Sequence, residues 1–206
     1  PLAVKDRIEM WAAALVQCED EYGAAMAEGN VPRAAHVAAN APQRYLQTDV
    51  IWDTFQQLGP TALFEYACAL VDAGEAGGSG VECALVAVDA DRLDVLETWI
   101  LGAAIAPTIE LARALHGKCG EAAGERRFVT LASLAVAACE RVPPPRNGRA
   151  DARAAAEYTE AGVLGAELLA RRGRVRAALA IGADRGAAVA AGTTMALRGG
   201  SIPLAI

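Results

Sequence analysis

Aromatic residues are scarce in this sequence, at 5% of the chain, and histidine occurs only twice, as His36 and His116. So few rings leave no stacking platform of the kind single-stranded nucleic acid needs. No Glu-x-x-His pair is present, so a carboxylate-bridged di-iron centre has no ligand set. The five cysteines are scattered without a CxxC pair, which argues against both a disulfide framework and a zinc site. Reduced, mostly buried thiols follow, and with them an expected cytoplasmic location. No run reaches the ~20 apolar residues of a membrane span, and the most apolar stretch, 99–109, is broken by Pro107. Lys5, Asp6 and Arg7 stand where a secretory signal would need apolar residues, so no leader and no membrane partner are expected.

Alanine, in contrast, makes up about a quarter of the chain. It is the strongest helix former, loses no side-chain entropy and lets helices approach closely. The composition therefore predicts an all-α protein: one helical domain over 1–206 with eight or nine helices. Linkers are expected near 74–80 and 141–150, and an apolar tail over 199–206. The run 81–88, "VECALVAV", suits a buried strand or a helix; a lone strand would lack a partner, so helix is preferred.

Periodicity places the helices. Ile8, Trp11, Leu15, Cys18, Tyr22 and Ala25 recur at steps of three and four, which predicts an amphipathic first helix ended by Gly29-Asn30. A short helix over 33–39 follows. The stretch 43–58 should form a helix with Tyr45, Trp52 and Phe55 inward, and the next should bury Leu63, Phe64, Ala67, Leu70 and Val71. Residues 91–106 and 107–117 read as two helices meeting at Pro107. A helix over 125–140, apolar nearly all round, should be central. Small residues beside Tyr158, Ala161, Gly165 and Leu168 permit a close crossing, "RRGRVR" reads as a break, and a last helix is expected over 184–198. Trp52 and Trp99 are each followed at the same interval by Pro-Thr, an echo without a third copy that chance explains.

Charge is distributed unevenly. Residues 1–125 carry 7 Lys/Arg against 19 Asp/Glu, and residues 126–206 carry 12 against 6, so a net charge of −6 hides a balance of −12 and +6. All twelve cations of the second part are arginines, whose planar fork suits carboxylate and phosphate. They gather in two places, Arg141, Arg146, Arg149 and Arg153, then Arg171, Arg172, Arg174 and Arg176. A solvated basic surface, contact with another copy or an acidic protein, and phosphate binding compete to explain them. No helix-turn-helix, zinc-finger or RNP-like motif supports nucleic acid, and the acidic remainder would repel it. The ending "RGGSIPLAI" adds Ile202, Leu204 and Ile206 as apolar contact candidates after a Gly-Gly hinge.

For chemistry, "RALHGKCG" is the one place where His116, Lys118 and Cys119 come together. A Cys119 thiolate activated by His116 or Lys118 would be a nucleophile, but no orienting carboxylate stands at a recognisable spacing, although Glu121 is near. Gly117 and Gly120 predict that the helix stops here, with His116 and Lys118 favouring its last carbonyls. "GEAGGSG" lacks the Gly-Lys-Ser/Thr of a phosphate loop and Ser79 lacks a Gly-x-Ser-x-Gly frame. No metal or cofactor is implied. The sequence thus predicts a non-catalytic, self-associating assembly protein. A small-molecule enzyme using His116 and Cys119, or a nucleic-acid-packaging protein, is the alternative.

Overall fold

The computed structural model describes residues 4–74, 80–144 and 152–184. They form ten α-helices and contain no strand: α1 Val4–Ala27, α2 Val31–Ala39, α3 Asp49–Leu58, α4 Pro60–Asp72, α5 Gly80–Asp89, α6 Leu93–Leu101, α7 Ile109–Glu121, α8 Glu125–Arg141, α9 Ala152–Arg171 and α10 Val175–Asp184. The protein is all-α, and 81–88 is helical within α5. No helix among the described residues is long and apolar enough to cross a membrane. The chain falls into two compact units, residues 1–92 and 93–206. The charge asymmetry follows this division: unit 1 carries 5 Lys/Arg against 14 Asp/Glu, unit 2 carries 14 against 11.

In unit 1, α4 packs against α2, α3 and α5, while α2 also packs against α1. Ala34, Ala35, Ala38 and Ala39 are buried, so a nine-residue helix with only alanine on its buried face fits between two neighbours. The core is an aromatic stack. Phe55 and Tyr66 lie face to face at 4.5 Å, with Trp52 edge-on to Tyr66 and Tyr22 edge-on to Phe55.

Two expectations fail in this unit. The helix expected over 43–58 begins only at Asp49, where the Thr48 hydroxyl accepts a hydrogen bond from the Ile51 amide. Before it, Gln43 and Arg44 adopt positive φ, so the chain turns and Tyr45 faces outward, its hydroxyl donating to Glu19 Oε1 at 2.7 Å. The apolar stripe of α1 is also buried only at its end. Residues 4–14 are exposed on every side, Leu15, Cys18 and Tyr22 are half-buried, and Ala25 is fully buried. The cause is length: at 1.5 Å per residue, α1 spans about 36 Å and α2 about 14 Å, so α2 covers only the last turns.

In unit 2, α8 packs against α6, α7 and α9, as its all-round apolar sequence predicted. At Gly165, α9 approaches α8 so closely that an added Cβ would lie 3.4 Å from Cys139 Cβ and 3.7 Å from Ile181 Cγ2 of α10. The helix expected over 91–106 ends at Leu101. "RRGRVR" is not only a break, since α10 starts at Val175 within it; α10 includes Asp184, and the rest of the helix expected over 184–198 lies outside the described residues, as does the tail 199–206. Proline and threonine after Trp52 and Trp99 play different parts. Pro60 opens α4 behind Gly59, whereas Thr108 caps α7 by accepting from the Leu111 amide.

Four helices end alike, with a left-handed residue whose successor donates back five positions. Asn30 donates to Ala25, Arg92 to Ala87, Ala104 to Trp99 and Arg174 to Leu169. The left-handed residue is Gly29 or Gly173 in two cases, and Asp91 and Ala103 in the others.

Candidate functional site

The helix carrying His116 does not stop at Gly117. It runs through Gly117 and Gly120 to Glu121, and neither glycine adopts positive φ. Each glycine costs about 1 kcal/mol of helix propensity, but Leu115 and Cys119 are buried, and α7 packs against both α8 and α9. Packing therefore outweighs the stop signal. His116 is consequently not a helix-end cation; it and Cys119 lie three apart on a continuous helix.

Its partner comes from α9. His116 Nε2 lies 3.2 Å from Glu167 Oε2, off the line that a hydrogen bond requires, and Arg171 Nη2 reaches Glu167 Oε1 at 2.5 Å. The Glu167 carboxylate is 12% exposed and holds a ring on one oxygen and a guanidinium on the other. One turn toward the start of α7, Arg113 grips Glu160 with two parallel bonds of 2.6 and 2.5 Å. That hydrogen bonding holds the Glu160 carboxyl below, and the Arg113 guanidinium above, its usual range. Lys118 pairs with Glu121 at 3.4 Å, so Glu121 is not the orienting carboxylate for His116.

Sequence reasoning missed Glu160 and Glu167. The signal was their spacing: seven residues apart, they share one face of α9 and answer Arg113 and His116 on α7.

Cys119 is 3% exposed, and burial pushes its thiol up to about 11, with Arg171 pulling the other way. A thiol in that state is protonated at neutral pH, so the nucleophile reading loses the species it needs. His36 is on the exposed face of α2, and no group of three or more His, Cys, Asp or Glu among the described residues is placed to hold a metal ion. A small groove in unit 1, beside Gly59, Pro60, Leu63 and Val86, is lined mainly by apolar atoms.

The arginines are arranged by the helix directions. Arg172 Nη1 donates to Ser133 Oγ at 2.8 Å, and Gly165 abuts Cys139, so α9 runs antiparallel to α8. Short turns join α7 to α8 and α9 to α10. One end of unit 2 therefore gathers the end of α7, the start of α8, the end of α9 and the start of α10. The end of α9 and the start of α10 carry Arg171, Arg172, Arg174 and Arg176 beside the middle of α8, and Arg126 and Arg127 stand at the start of α8, about two turns before Ser133. Arg171 and Lys118 are paired with carboxylates, and Arg172 is held by Ser133. The guanidinium groups of Arg126, Arg174 and Arg176 are exposed and have no partner among the described residues.

The other expected group sits at the opposite end of the α8–α9 pair. There Arg141 is exposed in the last turn of α8, and Arg153 bonds Glu157 at 2.7 Å. Arg146, Arg149, Ile202, Leu204 and Ile206 lie outside the described residues.

Comparison with known proteins finds no match: no family model, no curated protein and no solved structure is significantly similar to this chain.

Proposed function

We propose that the chain is a non-catalytic, self-associating helical assembly protein of the cytoplasm, in which the basic end of unit 2 meets the acidic unit 1 of another copy. The observation that carries this reading is the exposure of Arg126, Arg174 and Arg176 in unit 2, without carboxylate partners among the described residues, in a chain whose first unit has a balance of −9. Such a head-to-tail contact joins different surfaces of two identical chains. Exposed ion pairs are each worth under about 1 kcal/mol, so the charges set orientation and encounter rate, and apolar contact must supply the rest. The tail residues Ile202, Leu204 and Ile206 are one such source.

Light scattering on the purified chain tests this. A mass above 21.3 kDa is expected at low salt, falling as salt rises and falling again in the triple variant R126E/R174E/R176E. A chain that stays monomeric at every concentration in low salt overturns the reading. A monomer that instead binds random-sequence nucleic acid in a salt-sensitive way supports the packaging alternative.

A further inference from the structure

We propose that the groove at the start of α4 is the seat for residues 199–206 of another copy, with Ile202 and Leu204 in the groove and Arg198 at its acidic rim. This rests on the self-association reading and names the apolar contact which that reading needs.

The groove exists because small residues stand between larger ones. α4 opens at Gly59 and Pro60 beside the end of α5, where Ala90 follows the last turn. Leu63 and Val86 line it from the two helices, and a Cβ added at Gly59 would meet nothing within 4 Å. The space amounts to about 210 Å³ and its lining is mainly apolar. Leu58, 50% exposed, stands directly before Gly59 and adds apolar surface there.

The occupant has to match in size. About 150 Å³ of apolar space already takes a six-carbon ring, so this groove takes two four-carbon side chains. The segment 199–206, GGSIPLAI, supplies such a pair. Ile202 and Leu204 are two apart, and residues at that spacing fall on the same side of an extended segment. Pro203 between them biases Ile202 to an extended backbone.

The occupant also has to match in sign. Asp89 is exposed on the rim of the groove, and Asp91, also exposed, follows two residues on. Arg198 precedes Ile202 by four residues, about 13 Å of extended chain, and meets a rim of opposite charge. The bare stripe Val4, Ile8 and Trp11 of α1 lies in unit 1 as well, but it is the convex face of a helix and is flanked by Lys5 and Arg7, which repel that arginine.

Segment and groove belong to different units of the chain, so the contact is head-to-tail. It sets unit 2 of one copy on unit 1 of the next, in the same sense as the arginine contact. The apolar pair then supplies the burial that exposed ion pairs do not.

Two variants of the full chain test the seat by light scattering, with folding checked by circular dichroism. Leu204→Asp spoils the segment, and Ala90→Phe fills the groove from within. Each alone should associate about tenfold more weakly than the wild type. Mixed in equal amounts they should form a pair as the main species, because the intact segment of one enters the open groove of the other and no second such match remains. On the exposed rim, D89R and R198D should each weaken association about threefold and recover it when combined in one chain. Variants that assemble as tightly as the wild type, a mixture that forms no pair, or a charge exchange without recovery would each overturn the seat, while R126E/R174E/R176E still weakens an assembly held by the arginines. A wild type that is monomeric throughout removes both.

Discussion

His116 of α7 and Glu167 of α9 meet at 3.2 Å, and the same carboxylate holds Arg171 on its other oxygen. One nearly buried carboxylate thus joins two helices, with an imidazole ring on one oxygen and a guanidinium on the other. Glu167→Ala should leave the Arg171 guanidinium without its acceptor and the half-buried His116 ring without the carboxylate beside it, costing about 1–3 kcal/mol. Urea unfolding of the variant measures this. A loss no larger than that of an exposed pair, a few tenths of a kcal/mol, would show that the carboxylate contributes little.

The thiols make a prediction about alkaline pH. Burial pushes Cys68 and Cys119 up to about 11 and Tyr66 up to about 12. The folded state therefore keeps protons that the unfolded chain releases at 9.0 and 10.0. Stability should be level below pH 9 with respect to these groups and fall as pH rises through 9 to 11. Denaturation midpoints taken from about pH 7 to 11 test the slope. In the same samples, iodoacetamide at neutral pH should leave Cys83, Cys119 and Cys139, all buried, unmodified until the chain is unfolded. Rapid labelling of Cys119 in the folded protein would restore the enzyme alternative.

Gly165 sets how closely α9 lies against α8 and α10. Alanine fits at the 3.4 Å limit, and its better helix propensity, about 1 kcal/mol, offsets the tightness, so Gly165→Ala should be close to neutral. Gly165→Leu has no room and should destabilise by about 1–3 kcal/mol. Thermal melts of the two variants distinguish a packed crossing from a loose one, in which leucine would be harmless.

Ala103 ends α6 with φ 56°, a left-handed conformation that an alanine side chain disfavours. Gly29 and Gly173 occupy the corresponding place after α1 and α9. Ala103→Gly should therefore stabilise unit 2 by about 1 kcal/mol, seen as a rise in the denaturation midpoint. A fall would mean that the freedom glycine adds to the unfolded chain outweighs the strain it relieves.

Much of the helical layout was legible from local pattern. The ends of α1 and α4, the helical state of 81–88, the central place of α8 and the close crossing at Gly165 follow from spacing, caps and residue size, which act within a few turns of chain. The candidate site was only half legible. His116, Lys118 and Cys119 are neighbours in sequence, but Glu167 reaches His116, and Glu160 reaches Arg113, only because α9 runs beside α7. Local signals also misled where burial competed with them. Gly117 and Gly120 stay helical because Leu115 and Cys119 are buried around them.

By itself the sequence determined that the chain would be helical, lopsided in charge and closely packed, because propensity, charge and side-chain volume belong to single residues. Only the tertiary structure decided that Glu167 joins His116 and Arg171, that Cys119 is sealed from water, and that the first turns of α1 are left bare. Those outcomes depend on helix lengths and directions. A nine-residue α2 cannot cover a 24-residue α1, and an antiparallel turn brings together ends that the chain keeps far apart.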